Sequence, residues 1–158
     1  MKLTKNQQQF VNNANKNVLV SASAGNGKTS TMIEKLLHLV VNEKVDISKL
    51  LVLTFTDAAA NEMKQRLFVE LGKVATSINA ELQNNNQQQL KKLNHIYNIM
   101  ENLQNADIGT FHSIFKRIIT KYFYHLEIDP AFSLLTKEQH VVLNKAVSTV
   151  FQNYILKE

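Results

Sequence analysis

The chain carries a run of small residues followed by a lysine and a hydroxyl side chain, Ala-Ser-Ala-Gly-Asn-Gly-Lys-Thr at positions 22–29. Gly25 and Gly27 can adopt backbone angles that turn successive N–H groups inward and let the chain approach a phosphate closely. Lys28 would supply a positive charge to the β- and γ-phosphates, and the Thr29 hydroxyl would be a ligand of Mg²⁺. The type and spacing of these residues predict a phosphate-binding loop of the Walker A form.

The loop and the residue after it form the expected nucleotide-contacting set: Ala22, Ser23, Ala24, Gly25, Asn26, Gly27, Lys28, Thr29 and Ser30. Alanine stands at the first fixed position of the motif. Lys28 and Thr29 are the candidate catalytic residues, and Thr29 is the candidate metal ligand. The alternative is a glycine-rich turn in which the Lys28 stem faces the interior and no phosphate is bound.

The elements needed to position such a loop are predicted on both of its sides. Residues 17–22 are a short apolar run that predicts a strand, and an apolar stripe at helical spacing predicts a helix over about 28–41. The positive dipole end of that helix would favour bound phosphate. A second strand is expected over 50–56, covered on both faces, followed by a helix that Asp57 caps and Gly72 ends. Alternating strands and helices of this kind predict an α/β fold with a parallel sheet.

The second half of the chain has a more helical pattern. The tract Asn84–Gln89 is expected to form a solvated turn, and an amphipathic helix should follow it. A short strand over 107–110 should lead into a helix over 113–124. Pro130 falls in a predicted loop, and the last helix should run from a capping box at Thr136 to about Leu156.

Composition limits the broad class of the protein. The chain has 158 residues, a net charge of +5 and no cysteine, and only Arg66 and Arg117 of its 18 basic residues are arginines. Its basic character makes nucleic acid a plausible partner, although many proteins are mildly basic. We expect a cytoplasmic protein, which the absence of cysteine fits. We expect no membrane contact, because the start is too polar for a secretory signal and no apolar run is long enough to cross a bilayer. The histidines lack close metal-ligand spacing.

Three further segments resemble motifs of the superfamily 1 helicases of the UvrD/RecB type. Residues 3–7 (Leu-Thr-Lys-Asn-Gln) are similar to the Q motif, residues 54–63 (Thr-Phe-Thr-Asp-Ala-Ala-Ala-Asn-Glu-Met) to motif Ia, and residues 109–113 (Gly-Thr-Phe-His-Ser) to motif Ib. Together with the glycine loop they follow the order of the family. The resemblance implies a RecA-like P-loop NTPase domain that uses ATP and Mg²⁺, with Gln7 reading the adenine edge.

The same resemblance implies contacts to DNA from two groups of residues, Thr54, Phe55, Thr56 and Asp57 in the first and Thr110, Phe111 and His112 in the second. Both phenylalanines lie at the carboxyl ends of predicted strands, the sheet edge where α/β proteins bind ligands, so their rings could stack on unpaired bases or belong to the core. The threonine hydroxyls could donate to phosphates, but threonine is also a good strand former. For His112 a polar helix start is the alternative to a DNA contact. The family usually has asparagine where Asp57 stands, and an anion beside phosphate is unfavourable.

Within the family, Tyr122-Phe-Tyr and Ile128-Asp-Pro-Ala-Phe look most like the AddA subunit of the bacterial AddAB helicase-nucleases. This implies an ATP-dependent DNA helicase that acts on single- and double-stranded DNA ends in double-strand break repair, with a second, AddB-like subunit. Residues 1–125 would form the first part of domain 1A, with a helical insertion over about 73–106, and residues 126–158 would begin helical subdomain 1B.

A helicase of this type also needs an acidic Walker B pair, and no Asp-Glu pair occurs in the 158 residues. We therefore expect a piece of a longer protein that binds but does not hydrolyse ATP. Two alternatives stay open. The chain could be a nucleotide- or single-strand-binding module without catalysis, or an unrelated P-loop enzyme such as a small kinase, although a kinase lid would need more than two arginines.

Overall fold

The computed structural model describes residues 3–13, 17–23, 25–81, 87–126, 129 and 137–155. The chain divides into two compact units, residues 1–116 and 117–158. Helices dominate both of them. The described elements, in chain order, are α1 (Lys5–Asn12), α2 (Lys28–Leu37), β1 (Leu51–Thr54), α3 (Asp57–Ala80), α4 (Gln87–Asn102), β2 (Asp107–Thr110), α5 (Phe111–Lys121), α6 (Phe123–Leu126) and α7 (Lys137–Ile155).

Strands β1 and β2 pair in parallel and form a two-stranded sheet. Leu51 lies opposite Asp107, and Thr54 lies opposite Thr110 at the carboxyl ends of the two strands. The parallel pairing and the bounds of β2 confirm the prediction from the sequence, and β1 is shorter than its predicted range. The crossover between the strands contains α3 and α4, which pack against each other, and α3 also packs on both strands.

The strand predicted over residues 17–22 does not form, and this prediction was wrong. Residues 17–23 have no regular secondary structure, and Leu19 is 98% exposed. A strand is stabilised by backbone hydrogen bonds to a neighbouring strand, and this segment pairs with neither β1 nor β2. Apolar content alone therefore did not decide its conformation.

The sheet is covered less completely than the sequence predicted. Ile108, Gly109 and Thr110 of β2 are buried, but no residue of β1 is, and Leu51 is 57% exposed. Only the face that carries the half-buried Val52 packs against the core. The expectation that β1 is covered on both faces was wrong, because the helices of the first unit pack on a single face of this strand.

The core of the first unit lies between α2, α3, α4 and the inner face of the sheet. The best-buried large side chains lie in α3, in α4 and in the turns that follow α2 and α4: Val40, Leu67, Leu71, Ile96 and Leu103. Helix α2 begins at Lys28 as predicted and continues beyond Leu37 as a π-helical turn over His38–Asn42. Because the apolar stripe of α2 reaches Val40, this irregular turn keeps the helix in contact with the core.

Helix α3 is longer than the sequence predicted. It runs through Gly72, the expected stop, to Ala80. The reason is the apolar stripe, which continues on the far side of the glycine with Ala75 buried and Val74 and Ile78 packed on the core. A glycine costs a helix roughly 1 kcal/mol, and burial of these side chains outweighs that cost.

The amphipathic helix expected after the polar tract is present as α4. Its buried stripe consists of Leu93, Ile96 and Ile99. Gln87–Gln89 form its first turn instead of a loop, and the remainder of the expected turn, residues 84–86, lies outside the described residues.

The helix after β2 begins earlier and ends earlier than the expected range of 113–124. α5 starts at Phe111, directly after the strand, and stops at Lys121. In the second unit, α7 closely matches the predicted last helix, while the expected loop at Pro130 and the capping residue Thr136 lie outside the described residues. Within the described part of the chain, no helix is long and apolar enough to cross a membrane.

Candidate functional site

The glycine loop has the backbone conformation that its sequence predicted. Gly25 has φ +81° and Gly27 has φ +71°, both in the left-handed region that favours glycine. Gly27 is the N-cap of α2 and offers no side-chain cap, so the first N–H groups of the helix are not satisfied by a capping side chain. Backbone donors at such a helix start are suited to bind an anion.

The Lys28 ammonium group lies against its own loop. Its Nζ donates hydrogen bonds to the carbonyl oxygens of Ala22, at 2.7 Å, and Ser23, at 2.9 Å. The side chain is exposed, so the alternative in which the Lys28 stem faces the interior does not describe this structure. Thr29 is also exposed, in the first turn of α2, with Ser30 half-buried beside it. Ala24 lies outside the described residues.

A short helix that the sequence analysis did not predict brings Gln7 to the loop. α1 begins after Thr4, whose hydroxyl accepts a bond from the Gln7 N–H, while Gln7 Oε1 accepts a bond from the Thr4 N–H at 2.9 Å. This is a capping box, and the pattern Thr-x-x-Gln could have revealed it. Gln7 Nε2 donates to the carbonyl oxygen of Asn26 at 3.4 Å. The predicted adenine contact and the predicted phosphate loop are therefore neighbours.

An open cleft of about 900 Å³ lies between α1 and the loop. Gln7, Asn26 and Lys28 are on its polar side, and Phe10 and Met32 are among its apolar lining residues. A cleft with apolar walls and a few polar groups is typical of a nucleotide site. Of the residues predicted to contact the nucleotide, Gln7, Ala22, Asn26 and Lys28 thus line one concave surface.

Lys35 holds α1 on α2, and the sequence analysis missed this residue. Its Nζ donates to the carbonyl oxygens of Phe10, Val11 and Asn13 at 3.1, 3.0 and 2.8 Å. Burial lowers the pKa of Lys35, and the Glu43 carboxylate acts in the opposite direction. The only sequence signal was its spacing, two helical turns after Lys28, which places both lysines on one side of α2.

The turn after β1 exposes the residues of the first predicted DNA-contacting group. Phe55 is 95% exposed, so the alternative that it belongs to the core is wrong. Thr54 donates from its hydroxyl to the Thr56 carbonyl oxygen at 3.0 Å. The Thr56 hydroxyl accepts a bond from the Ala59 N–H at 3.1 Å and is the N-cap of α3. Asp57, which we expected to be the cap, is the first residue of the helix instead.

The second predicted group begins at Thr110, which contacts the first group directly. The buried Thr110 hydroxyl donates to Asp57 Oδ1 at 3.1 Å and accepts a bond from the Ser113 N–H at 3.2 Å. Phe111 is exposed, with its ring centroid 6.1 Å from that of Phe115, and His112 is exposed in the first turn of α5. The two strand ends form a continuous edge, as expected for adjacent parallel strands.

Residues close to Thr110 account for the tight passage from β2 into α5. A Cβ atom on Gly109 would lie 2.7 Å from Ser113 Oγ and 3.3 Å from Ile114 Cδ1. Ser113 Oγ in turn donates to the Thr110 carbonyl oxygen at 3.0 Å. Any larger residue at position 109 would therefore force the Ser113 side chain to move.

The candidate metal ligand is the exposed hydroxyl of Thr29, in the first turn of α2. Within the described ranges, no group of three or more histidine, aspartate or glutamate side chains could hold a metal ion. One hydroxyl is compatible with Mg²⁺, which usually keeps several waters and takes other ligands from phosphates. The role of Thr29 stays a prediction.

Comparison with known proteins agrees with the motifs. The family model described as UvrD/REP helicase N-terminal domain matches residues 3–158. Curated proteins that are named as a subunit of an ATP-dependent helicase/nuclease are similar to this chain. That of Pediococcus pentosaceus is 39% identical over 145 residues (91% of this chain, 11% of that protein), and that of Streptococcus sanguinis 36% over 155 residues (97% and 12%). The protein of Enterococcus faecalis is 37% identical over 142 residues (90% and 10%).

The chain spans about a tenth of the length of these curated relatives. The family match covers both units and includes the glycine loop and both DNA-type motifs. The resemblance inferred from residues 3–7, 22–29, 54–63 and 109–113 is confirmed. The chain belongs to the UvrD/REP helicase N-terminal domain family.

Proposed function

We propose that this chain provides the ATP phosphate site and part of the single-strand DNA contact surface of an ATP-dependent DNA helicase. The observation that carries the proposal is the loop geometry. Two glycines with positive φ lead into α2, and the Lys28 ammonium group lies on the same loop. Backbone donors, a helix N-terminus and a lysine in one place form a phosphate-binding arrangement.

In this proposal the N–H groups of residues 25–30 and the Lys28 ammonium group bind the β- and γ-phosphates. Lys28 now donates to two peptide carbonyls, and anionic phosphate oxygens are stronger acceptors, so nucleotide binding would exchange these bonds. Thr29 would hold Mg²⁺, whose charge offsets that of the phosphates. Gln7, which contacts Asn26 of the loop, would read the adenine edge.

The DNA part of the proposal rests on the edge formed by β1 and β2. Thr54, Phe55 and Thr56 from one strand end, and Phe111 and His112 after the other, would contact a single strand. Phe55 is a large apolar ring with almost complete exposure, which supports stacking on a base. Asp57 does not need to contact DNA, because its carboxylate already accepts a hydrogen bond from Thr110.

For the whole protein we propose an ATP-driven DNA motor with an associated nuclease, since the relatives carry both helicase and nuclease in their names. Its partners would be DNA ends and an AddB-like second subunit, in double-strand break repair. Residues 1–125 would belong to domain 1A, with an insertion at about 73–106 that includes the end of α3 and all of α4, and residues 126–158 to subdomain 1B.

A second function is favoured by one feature of the sequence. The 158 residues contain no Asp-Glu pair that could complete a magnesium site and position water. We therefore propose that the chain by itself is a binding module without useful ATP hydrolysis. The alternative of an unrelated P-loop enzyme such as a small kinase is no longer supported, because the family match covers the loop and both later motifs.

The proposal is tested by measuring equilibrium binding of ATP with Mg²⁺ to the purified chain and to Lys28→Ala. Loss of the ammonium group should lower the affinity about tenfold or more, because charge-assisted bonds to phosphate are lost. Lys49→Ala is the matched control, since it removes the same charge from an exposed 3₁₀ turn. Equal affinities for the wild type and Lys28→Ala would overturn the assignment of the loop.

A further inference from the structure

Lys35 uses its complete hydrogen-bonding capacity at one place. An ammonium group has three hydrogens, and Lys35 donates to three backbone carbonyls, those of Phe10, Val11 and Asn13, with distances of 2.8 to 3.1 Å. The nitrogen also lies 5.5 Å from the centroid of the Phe10 ring. The side chain is half-buried, so these bonds are shielded from water more than surface contacts are.

The acceptors lie at the carboxyl end of α1, where a helix leaves its last carbonyls without internal partners. Lys35 donates to the Val11 and Asn13 carbonyls and gives a second hydrogen bond to the Phe10 carbonyl, which already accepts the Asn13 N–H at 3.3 Å. Its charge is also favourable beside the negative end of the helix dipole. This matters for a helix of only eight residues, which is not stable in isolation. Besides Lys35, the buried side chain of Val11 anchors α1.

The same short helix carries Gln7, one turn before the residues that Lys35 binds. Gln7 reaches the carbonyl oxygen of Asn26 in the glycine loop, while Lys35 belongs to the helix that begins at the end of this loop. α1 is thus connected to the loop through Gln7 and to α2 through Lys35.

We propose that Lys35 is a positioning residue for base recognition: by fixing the carboxyl end of α1 on α2, it sets the place of Gln7 beside the phosphate loop. The inference rests on the proposed function of the loop and of Gln7. Lys35 does not line the cleft and would not touch the nucleotide. Its substitution should therefore affect recognition of the base and leave recognition of the phosphates unchanged.

Two ligands separate these effects. ATP engages both halves of the proposed site, whereas inorganic tripolyphosphate carries the phosphates without a base. In Lys35→Met, affinity for Mg-ATP should fall about three- to tenfold, and affinity for Mg-tripolyphosphate should stay within about twofold of the wild type. Lys73→Met is the matched control on the exposed face of α3, where the lysine pairs with Glu70, and it should change neither affinity.

A double substitution tests whether Lys35 acts through Gln7. Gln7→Ala should weaken ATP binding and spare tripolyphosphate, and Lys35→Met should add little in the Gln7→Ala background, because both changes remove the same contact. Additive losses would overturn the proposed route. A merely structural lysine would lower the melting temperature without changing the ratio of the two affinities.

The outcomes also distinguish this proposal from the proposed function. If the wild-type chain binds neither ligand, both the proposed phosphate site and the proposed role of Lys35 are wrong. If it binds both ligands and Lys35→Met loses both equally or neither, only the role of Lys35 is wrong. Lys35→Gln keeps a hydrogen-bond donor on a shorter side chain, so it should show the same selective loss of ATP affinity, but a smaller one. This variant replaces Lys35→Met in the test if Lys35→Met does not fold.

Discussion

The Thr110 hydroxyl donates a 3.1 Å hydrogen bond to the Asp57 carboxylate and thereby connects the end of β2 to the start of α3. The single hydrogen of the Thr110 hydroxyl has two acceptors within reach, Asp57 Oδ1 at 3.1 Å and Ser113 Oγ at 3.0 Å, and the carboxylate is the stronger acceptor of the two. The aspartate at the position where the family usually has asparagine therefore has a structural partner. The two strand ends are coupled through it.

We expect this coupling to be measurable as free energy of unfolding. Thr110→Val should cost about 1–2 kcal/mol, because it removes both the bond to Asp57 and the acceptor for the Ser113 N–H. Asp57→Ala should cost less alone, and the double variant should show a coupling energy of about 0.5–1.5 kcal/mol in urea unfolding. Asp57→Asn keeps an acceptor and is the matched control. Fully additive losses would mean that the two side chains do not interact.

Phe55→Ala should leave stability nearly unchanged and weaken single-strand binding. The ring is 95% exposed, so its removal creates no cavity and should shift the melting temperature by no more than about 2 °C. If the ring stacks on a base, affinity for a single-stranded oligonucleotide should fall by about 1–3 kcal/mol. Binding should also weaken with added salt, as phosphate contacts require. An unchanged affinity would remove Phe55 from the DNA surface.

Two glycines should respond in opposite directions to the same substitution. Gly109→Ala would place a Cβ atom 2.7 Å from Ser113 Oγ, which must shift and lose its bond to Thr110, so we expect a loss of about 1–3 kcal/mol. Gly72→Ala meets no atom within 4 Å and lies inside α3, so it should stabilise the chain by about 0.5–1 kcal/mol. Urea unfolding of both variants is the measurement. A stabilised Gly109→Ala would contradict the close approach of β2 and α5.

The sequence predicted those elements whose apolar periodicity matches local packing. The helix with Leu93 and Ile96 was found because its apolar spacing alone specifies an amphipathic helix. The short strand Asp107–Thr110 was also predicted correctly, although its four residues carry no apolar period. The pairing of the two strands followed from their crossover connection, which favours parallel order.

Features that depend on distant partners were not predictable in this way. Residues 17–22 have a strand composition, but no neighbouring strand in the described part of the chain pairs with them. Gly72 was predicted to end the helix because glycine has a low helix propensity, which can be read from the sequence. The burial of Ala75 beyond it depends on tertiary packing, which cannot be read in this way. The role of Lys35 was not predicted because its partners are backbone carbonyls, which every residue type has.

The chain alone should not hydrolyse ATP at a helicase rate. Lys28 and Thr29 can bind phosphates and one metal ion, but the 158 residues contain no Asp-Glu pair to hold the metal and position water. Phosphate release by the purified chain should stay at background with or without single-stranded DNA, and should be equal for Lys28→Ala. A DNA-stimulated turnover of about one per second would require catalytic residues other than Lys28 and Thr29.

The central claim is that residues 22–29 hold the phosphates of ATP, and amide chemical shifts measured during titration with Mg-ATP test it most directly. The largest shifts should fall on the N–H groups of residues 25–30, where the left-handed glycines and the start of α2 present their donors. Lys28→Ala should abolish these shifts at the same ligand concentration, and Lys49→Ala should retain them. Shifts concentrated away from the loop, or an unchanged pattern in Lys28→Ala, would contradict the account.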